Sequence, residues 1–368
     1  MSDVADRLED LRRAGLYRRL RLIESPQGPR VTLDGAEVLL LCSNNYLGLA
    51  DHPRVRQAAA DAAERFGAGA GASRLVSGNM SLHGRLEERL AAFAGYETAL
   101  LFGSGYLANL GAIAALAGRG QVVFSDELNH ASIIDGCRIS RAECFIYRHA
   151  DLEHLSWGLR KHAGDGALIV TDAVFSMDGD VAPITELLDL ARRHRCLLMV
   201  DEAHATGALG PGGAGAVAEA GLSGEVDLIV GTLGKTLGSY GAYVCGSAKV
   251  VDLLVNTARP FIFSTALPPP VVGAALAALA LLATPYLYIY DLTVLAIAVA
   301  FLLRYALTRG MIAAEAAGLA AVVALLLIYP YAKMQVGLAA ALIVAGLVAW
   351  RATTDHLSAI SAPARIDR

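Results

Sequence analysis

The sequence predicts an α/β protein with a mainly parallel sheet covered by helices. From Glu97 onward, short apolar runs of strand length alternate with longer amphipathic stretches of helical length. This β-α-β-α order is typical of parallel strands joined by crossover helices. The chain has 368 residues and is 55% hydrophobic, which excludes a disordered protein and allows a large core.

The elements follow in order along the chain. Four leucines among Arg and Asp recur at helical spacing and predict an amphipathic helix over 5–20, within an N-terminal arm of residues 1–40. A large domain over 41–280 follows and contains the sheet. The four leucines are Leu8, Leu11, Leu16 and Leu20, and the predicted strands are ALLF, QVVFSD, ECFIYRH, ALIVTDAVF, CLLMVDEAH, DLIVGTL and AYVCGS.

Charge and cysteine content narrow the functional class. The net charge of −4 gives no basic excess for binding phosphate backbones, so we expect no nucleic-acid partner. The five cysteines lie far apart without a C-x-x-C pair, which argues against a disulfide framework and a zinc site. The charged N-terminus lacks the apolar segment of a secretory signal, so we expect a cytoplasmic protein.

The composition changes near Leu281. Between Leu281 and Trp350 the charged residues are only Asp291, Arg304, Arg309, Glu315 and Lys333. Three apolar stretches in this region are near the roughly 20 residues that span a bilayer. They predict three hydrophobic helices over 281–352, transmembrane or buried in a soluble core, followed by a polar tail over 353–368.

Chemistry-bearing residues follow three of the predicted strands, where ligands of parallel sheets bind. Gly103–Tyr106 precedes a predicted helix, which is typical of a phosphate site but also of a tight turn. Asp201 follows CLLMV, and its buried carboxylate needs a cationic partner, as a ligand or in a salt bridge. Lys235 follows DLIVGTLG and is either a reactive amine or a surface lysine.

One ligand accounts for these residues together with His130. Pyridoxal 5′-phosphate (PLP) has an aldehyde that takes a lysine amine, a pyridine nitrogen that prefers a carboxylate, and a phosphate that needs N–H and O–H donors. The sequence therefore predicts a PLP site at the carboxyl ends of the strands.

Seven motifs in this order resemble the α-oxoamine synthase family, whose members condense an amino acid with an acyl thioester. The resemblance covers residues 1–280 and implies a fold-type-I PLP-dependent transferase large domain. The motifs are SNNYLGLADHP (43–53), GASRLVSGNMSLHGRLE (71–87), SDELNHASIIDG (125–136), VFSMDGDVAPI (174–184), VDEAHATGALGPGGAG (200–215), GTLGKTLGSYGAY (231–243) and FIFSTALPP (261–269).

The resemblance assigns cofactor roles. Lys235 is expected to form a Schiff base with PLP and to move the Cα proton of the amino acid. Asp201 would hold the pyridine nitrogen protonated, and His130 would stack on the ring. The remaining implied contacts are His204 and Ser176 to the ring hydroxyl, Gly105, Tyr106 and Thr232 to the phosphate, and Ser264 and Thr265 to the cofactor of a neighbouring subunit.

The resemblance also implies substrates and assembly. Asn44 would face the amino-acid carboxylate, and Arg18 would lie near the acyl chain. The motifs, with His83, favour L-alanine and pimeloyl-CoA or a pimeloyl carrier-protein thioester, condensed with decarboxylation in biotin biosynthesis by a homodimer. The alternatives are a glycine-using member of the 2-amino-3-ketobutyrate CoA ligase type, or an inactive PLP-domain remnant fused to a membrane anchor.

The family resemblance ends after PPPVVGAALAALA. A small α+β domain with a carboxylate-binding arginine is expected there, and this chain has hydrophobic sequence instead. Residues 281–352 resemble the C-terminal membrane helices of polytopic lipid-linked-sugar glycosyltransferases. This pattern predicts a chimera joined near Leu279–Leu282, with impaired synthase activity and membrane association.

Overall fold

The computed structural model describes residues 3–162 and 166–283, which belong to one compact unit. Its elements alternate as predicted. In chain order they are α1 (Val4–Arg13), β1 (Arg30–Leu33), β2 (Ala36–Leu39), α2 (Pro53–Phe66), α3 (Ser81–Ala94), β3 (Thr98–Phe102), α4 (Gly105–Leu116), β4 (Val122–Asp126), α5 (Ala131–Ser140), β5 (Glu143–Tyr147), α6 (Leu152–His162), β6 (Leu168–Asp172), α7 (Ile184–His194), β7 (Leu197–Asp201), α8 (Ala216–Glu219), β8 (Leu228–Thr232), β9 (Ala242–Gly246), α9 (Ala248–Thr257), α10 (Arg259–Ile262) and α11 (Pro269–Ala283).

The central sheet confirms the predicted mainly parallel topology. Within the described residues it has seven strands in the order β3-β9-β8-β7-β6-β4-β5. Only β9 runs antiparallel to its neighbours, β3 and β8. The carboxyl ends of β3, β8, β7, β6, β4 and β5 therefore lie at the same edge of the sheet.

The middle strands are continuous apolar runs because helices cover both faces of a parallel sheet. Leu168, Leu198 and Leu228 on β6, β7 and β8 are completely buried. Helix α4 packs against this sheet through Ala112 and Ile113, which are also completely buried. The core thus fixes the strands whose last residues carry the predicted chemistry.

The N-terminal arm differs from the prediction in two respects. The first helix ends at Arg13, and Gly15 follows with a φ of 68°, so Leu16 and Leu20 lie outside the helix. The arm also contains an antiparallel hairpin of β1 and β2 that the sequence analysis missed. Asp34 and Gly35 form its turn with φ of 48° and 81°, a conformation that favours an Asp-Gly pair.

Helix α11 continues to Ala283, past the predicted domain boundary at residue 280. Among the helices of residues 3–162 and 166–283, none has the length and apolar character needed to cross a bilayer. Beyond Ala283, the predicted hydrophobic helices of 281–352 and the tail of 353–368 lie outside the described residues.

Candidate active site

The register of the sheet brings the predicted cofactor residues to one edge. Asp201 ends β7 and lies opposite Asp172, the last residue of β6. On the other side, Asp201 pairs with Val230 of β8, two residues before Thr232. Thr232 and Phe102, the last residues of β8 and β3, both pair with Ala242 of β9. The loop at Gly103–Gly105 and Thr232 are therefore separated at this edge by a single strand.

A chain of hydrogen bonds runs from Lys235 to Asn44. The Lys235 Nζ lies 2.6 Å from His204 Nε2, and His204 Nδ1 lies 2.6 Å from the Tyr46 hydroxyl. Tyr46 in turn donates to Asn44 Oδ1 at 3.3 Å. The structure thus joins three predicted residues, Lys235, His204 and Asn44, through a tyrosine that the sequence analysis did not select.

The surroundings of His204 in this hydrogen-bond network keep its imidazole neutral. Burial, reinforced by the positive charge of Lys235, lowers the pKa of His204 to about 4. Burial also lowers the pKa of Lys235, although the charges of Asp201 and Asp172 oppose that shift. Because the Tyr46 proton goes to Asn44, the network assigns the His204 proton to Nδ1, and Nε2 accepts from Lys235.

A second network fixes Asp201. This carboxylate is 4% exposed, and its Oδ1 accepts the Ala203 N–H at 2.8 Å. The Asn109 amide donates to Asp201 Oδ2 at 2.6 Å and to Ser132 Oγ at 2.8 Å. Ser132 Oγ lies 2.7 Å from His130 Nδ1, so Asn109 links the predicted pyridine partner to the predicted stacking residue.

Asp172 is a second buried carboxylate beside Asp201. It is 5% exposed and accepts the His130 backbone N–H at 2.7 Å. Burial, followed by the negative charge of Asp201, raises the pKa of Asp172 to about 8. Within residues 3–162 and 166–283, neither aspartate forms an ion pair with a basic side chain. The site therefore holds one unusually basic carboxyl group.

The predicted phosphate end begins at the N-terminus of α4. Ser104 is the N-cap, and its Oγ accepts the Leu107 N–H at 3.2 Å. A Cβ added at Gly105 would meet no atom within 4 Å, so there is open space beside this helix N-terminus, an end of a helix that attracts anions. The Tyr106 hydroxyl is hydrogen-bonded to Asp135, which leaves the backbone N–H of Tyr106 for the predicted phosphate role. Thr232 Oγ1 accepts the Gly234 N–H at 3.2 Å.

Ser264 and Thr265 lie beside the beginning of this loop. They line a small cleft with Gly103 and Arg74, and Thr265 forms an isolated β-bridge with Ser73. Their segment is anchored by His83, which is completely buried and donates from Nε2 to the Leu267 carbonyl at 2.9 Å. The predicted role of these two residues toward a neighbouring subunit remains a prediction.

Two predicted residues are not brought into the networks. Ser176 is exposed in the loop after β6, and the described contacts do not join it to Lys235 or His204. Arg18 is exposed in the segment after α1. Their expected contacts with the ring hydroxyl and the acyl chain remain predictions.

Sequence reasoning missed Tyr46, Asn109 and Asp172. Tyr46 lies within the SNNYLG motif, and Asp172 is the last residue of the ALIVTD run. Both positions therefore belong to a family motif or a strand end, where ligand-binding residues were expected. Asn109 lies inside an apolar helix, and its polar amide among buried residues was the available signal. In each case the functional contact depends on tertiary structure.

The two buried carboxylates generate a pH prediction for the cofactor-free protein. A carboxyl group whose pKa is raised on folding binds its proton more tightly in the folded state, so stability falls as the pH rises from about 4 to about 8. Asp172→Asn should remove a slope of up to about 1.4 kcal/mol per pH unit while preserving an acceptor for the His130 N–H. Urea unfolding between pH 5 and 8 measures this.

Asp178→Asn, at an exposed carboxylate on the following loop, is the matched control and should keep the wild-type slope. An identical pH dependence in wild type and Asp172→Asn would contradict the assignment.

Known proteins share this architecture and much of the sequence. The family model for aminotransferase class I and II matches residues 36–284. An 8-amino-7-oxononanoate synthase from Geobacter sulfurreducens is 59% identical over 283 residues, covering 77% of this chain and 72% of the relative. A protein of the same name from Anaeromyxobacter sp. is 58% identical over 277 residues, covering 75% and 70%.

Solved structures support the same grouping. A serine palmitoyltransferase from S. paucimobilis with a bound PLP–myriocin adduct has a TM-score of 0.72 and 35% identity, covering 76% of this chain and 71% of that one. An 8-amino-7-oxononanoate synthase from Francisella tularensis has a TM-score of 0.57 and 32% identity, covering 66% and 68%. These matches give no support to the glycosyltransferase resemblance. The chain belongs to the PLP-dependent aminotransferase class I and II family, in its 8-amino-7-oxononanoate synthase branch.

Proposed function

We propose that this chain catalyses the decarboxylative condensation of L-alanine with a pimeloyl thioester to 8-amino-7-oxononanoate. The observation that carries the proposal is the Lys235 amine, held 2.6 Å from a neutral His204 at the sheet edge that carries buried Asp201. Relatives that bear the name of this synthase are 55–59% identical to the chain. Biotin biosynthesis and a cytoplasmic location follow as parts of the proposal.

The residues fit PLP at each of its reactive ends. Asp172 and Asp201 place two carboxyl groups side by side without a basic ion-pair partner in the described part of the chain, and a protonated pyridine nitrogen would supply the missing positive charge. The open space beside the backbone at Gly105 suits the phosphate. The Thr232 hydroxyl donates to the Gly241 carbonyl at 3.2 Å and would turn its proton from there to the phosphate. Lys235 supplies the amine for the aldehyde.

Bound PLP supplies an electrophilic aldehyde for amines and an electron sink for the negative charge left when a Cα proton departs. Asp201 would stabilise a protonated pyridine nitrogen, and Asn109 keeps the Asp201 carboxylate in place. His130 is the expected stacking residue, and its ring is held through Ser132 by the same asparagine. Asp201 and His130 are thereby positioned as one unit.

Lys235 is the group suited to move the proton at the amino-acid Cα. Its lowered pKa increases the fraction of free amine near neutral pH, and a free amine accepts a proton. Neutral His204 accepts a hydrogen bond from the amine without taking its proton, because its own pKa is about 4. Tyr46 fixes the tautomer that makes this acceptance possible and also orients Asn44 toward its proposed role at the substrate carboxylate.

The chemical class is tested by trapping the cofactor. Incubation of the full chain with PLP, followed by borohydride, should attach the cofactor to Lys235, and peptide mass spectrometry should locate it. Lys235→Ala should remove the label, whereas Lys249→Ala, at an exposed lysine on α9, should retain it. Labelling at another residue, or none, would refute the cofactor assignment.

Turnover distinguishes the substrates and the remnant alternative. Incubating the PLP-loaded chain with alanine and pimeloyl-CoA should release free thiol and carbon dioxide, and glycine in place of alanine should give a lower rate. Preference for glycine would support the glycine-using alternative. No turnover with either amino acid, despite labelling of Lys235, would support an inactive remnant.

We also propose a homodimer in which the segment at Ser264 and Thr265 reaches the cofactor of the neighbouring subunit. Sedimentation equilibrium should give twice the chain mass of 38.5 kDa. Mixing inactive Lys235→Ala chains with inactive Thr265→Ala chains should restore part of the activity, because some mixed dimers contain one intact site. A monomeric mass would exclude this arrangement.

A further prediction concerns the amino-acid carboxylate. The family resemblance implies an arginine clamp after residue 280, and the arginines of this chain there have no matching sequence context: Arg304, Arg309, Arg351, Arg365 and Arg368. Loss of one partner of a buried ion pair costs about 3–5 kcal/mol. Alanine should therefore bind at least about a hundredfold more weakly than to a relative that has the arginine.

Titration of alanine against the absorbance of the PLP-loaded chain measures this affinity, with the Geobacter sulfurreducens relative as the matched reference. Cofactor binding should be much less affected, because the assigned cofactor residues lie within 105–265. An alanine affinity equal to that of the relative would show that residues 281–368 supply a replacement group.

A further inference from the structure

His149 joins two carboxylates from different loops at the carboxyl edge of the sheet. Its Nδ1 lies 3.0 Å from Asp126 Oδ1, and its Nε2 lies 2.8 Å from Asp180 Oδ2. The ring also packs edge-on against Phe175, with 4.4 Å between centroids. His149 follows β5, Asp126 ends β4, and Asp180 and Phe175 belong to the loop after β6. Three consecutive strand ends therefore meet at one imidazole.

The two carboxylates differ in how firmly they are held. Asp126 is 2% exposed and accepts backbone N–H groups from Leu128 and Ala150, each at 2.9 Å. The Asp180 side chain is 42% exposed, and its second oxygen has no hydrogen-bond partner in the described residues. The backbone therefore holds the Asp126 carboxylate in place. His149, by contacting both carboxylates, connects the loop of Asp180 to it.

The geometry requires a doubly protonated ring. Ionised carboxylates only accept hydrogen bonds, so both His149 nitrogens must donate for both contacts to be made. A neutral imidazole has a single N–H and would turn a lone pair toward one carboxylate. Losing the second proton therefore replaces one charge-assisted hydrogen bond with repulsion.

From this arrangement we propose that His149, as an imidazolium, is a positioning residue that holds the loop 173–183 in place for the cofactor. The loop begins directly after Asp172 and carries Ser176, the residue assigned to the PLP ring hydroxyl. The effect on cofactor binding rests on the proposed function, whereas the anchoring of the loop does not require the cofactor.

The sign of the pH dependence follows from the groups that face the ring. Asp126 and Asp180 face the nitrogens, Glu127 accepts the His149 backbone N–H at 2.8 Å, and the neighbouring Arg148 pairs with Asp151. Burial lowers the pKa of His149, but the hydrogen bonds and charges of Asp126 and Asp180 outweigh it, so the pKa is raised. Anchoring is complete below the ordinary histidine pKa of about 6.5 and is lost as the pH rises through the higher folded value.

Hydrogen exchange of the full chain, followed by mass spectrometry of the 173–183 segment, tests the anchor. The N–H groups to be followed are those of Phe175, Gly179 and Ala182, which are hydrogen-bonded within the loop. After correction for the intrinsic effect of pH, wild-type protection should fall about tenfold between pH 6 and pH 9, the loss expected for one charge-assisted hydrogen bond. His149→Gln should show the low value at both pH values, because a glutamine amide cannot donate to both carboxylates in this geometry.

Asp180→Asn provides a diagnostic rescue. Its amide can donate to a neutral His149 Nε2 or accept from a protonated one, so protection should stay high at both pH values. His162→Gln is the matched control, since His162 lies at the end of α6 and pairs with a single carboxylate among the described residues, that of Glu143. It should keep the wild-type pH dependence.

The cofactor provides the second measurement. PLP should dissociate about tenfold more readily from His149→Gln than from wild type or His162→Gln at pH 7. Equal wild-type protection at both pH values, or an unchanged pH dependence in His149→Gln, would overturn the anchor. Failure of every variant and the wild type to bind PLP would refute the proposed function, while the exchange data would still decide the anchor.

Discussion

The arrangement of this site depends on two carboxyl groups that end neighbouring strands of a buried sheet. Asp172 and Asp201 lie opposite each other on β6 and β7, both almost completely buried. Two ionised carboxylates in such a place repel each other, and the interior cannot solvate both. The protein reduces this cost by keeping one proton on the pair, in the form of the raised pKa of Asp172, and by surrounding Asp201 with N–H donors.

The charges of Asp172 and Asp201 also bear on the protonation of the neighbouring residues Lys235 and His204. Lys235 interacts electrostatically with both aspartates, yet burial lowers its pKa and so weakens it as their counter-ion. His204 remains neutral beside it and is aligned by Tyr46. A site with excess negative charge and a readily deprotonated amine is suited to a ligand that brings a cationic ring and an aldehyde. This combination explains why the same few residues serve both binding and proton transfer.

The sequence was informative where chemistry is tied to strand ends. Apolar runs located β3 to β9, and Asp201, Lys235 and His204 were found because they follow those runs. Asn109 was not found, since its role depends on α4 bringing an amide to Asp201, 92 positions along the chain. The hairpin of β1 and β2 was missed because its strands have four residues each and only Val31 among them is buried, so they lack a strong hydrophobic pattern. The C-terminal hydrophobic segment was predicted from composition, and beyond Ala283 that prediction is untested by the structure.

The charge balance also links the two ends of the carboxyl edge. Asp126 lies among the groups that raise the pKa of Asp172, and Asp126 is itself one of the two carboxylates that hold His149. Asp126 therefore interacts both with His149, through a hydrogen bond, and with Asp172, through its charge. The loop between them begins at Ala173 and contains Asp180, so the backbone that follows one titrating group is anchored by the other. The buried carboxyl pair and the loop anchor thus share Asp126 and one continuous stretch of backbone from Asp172 to Asp180.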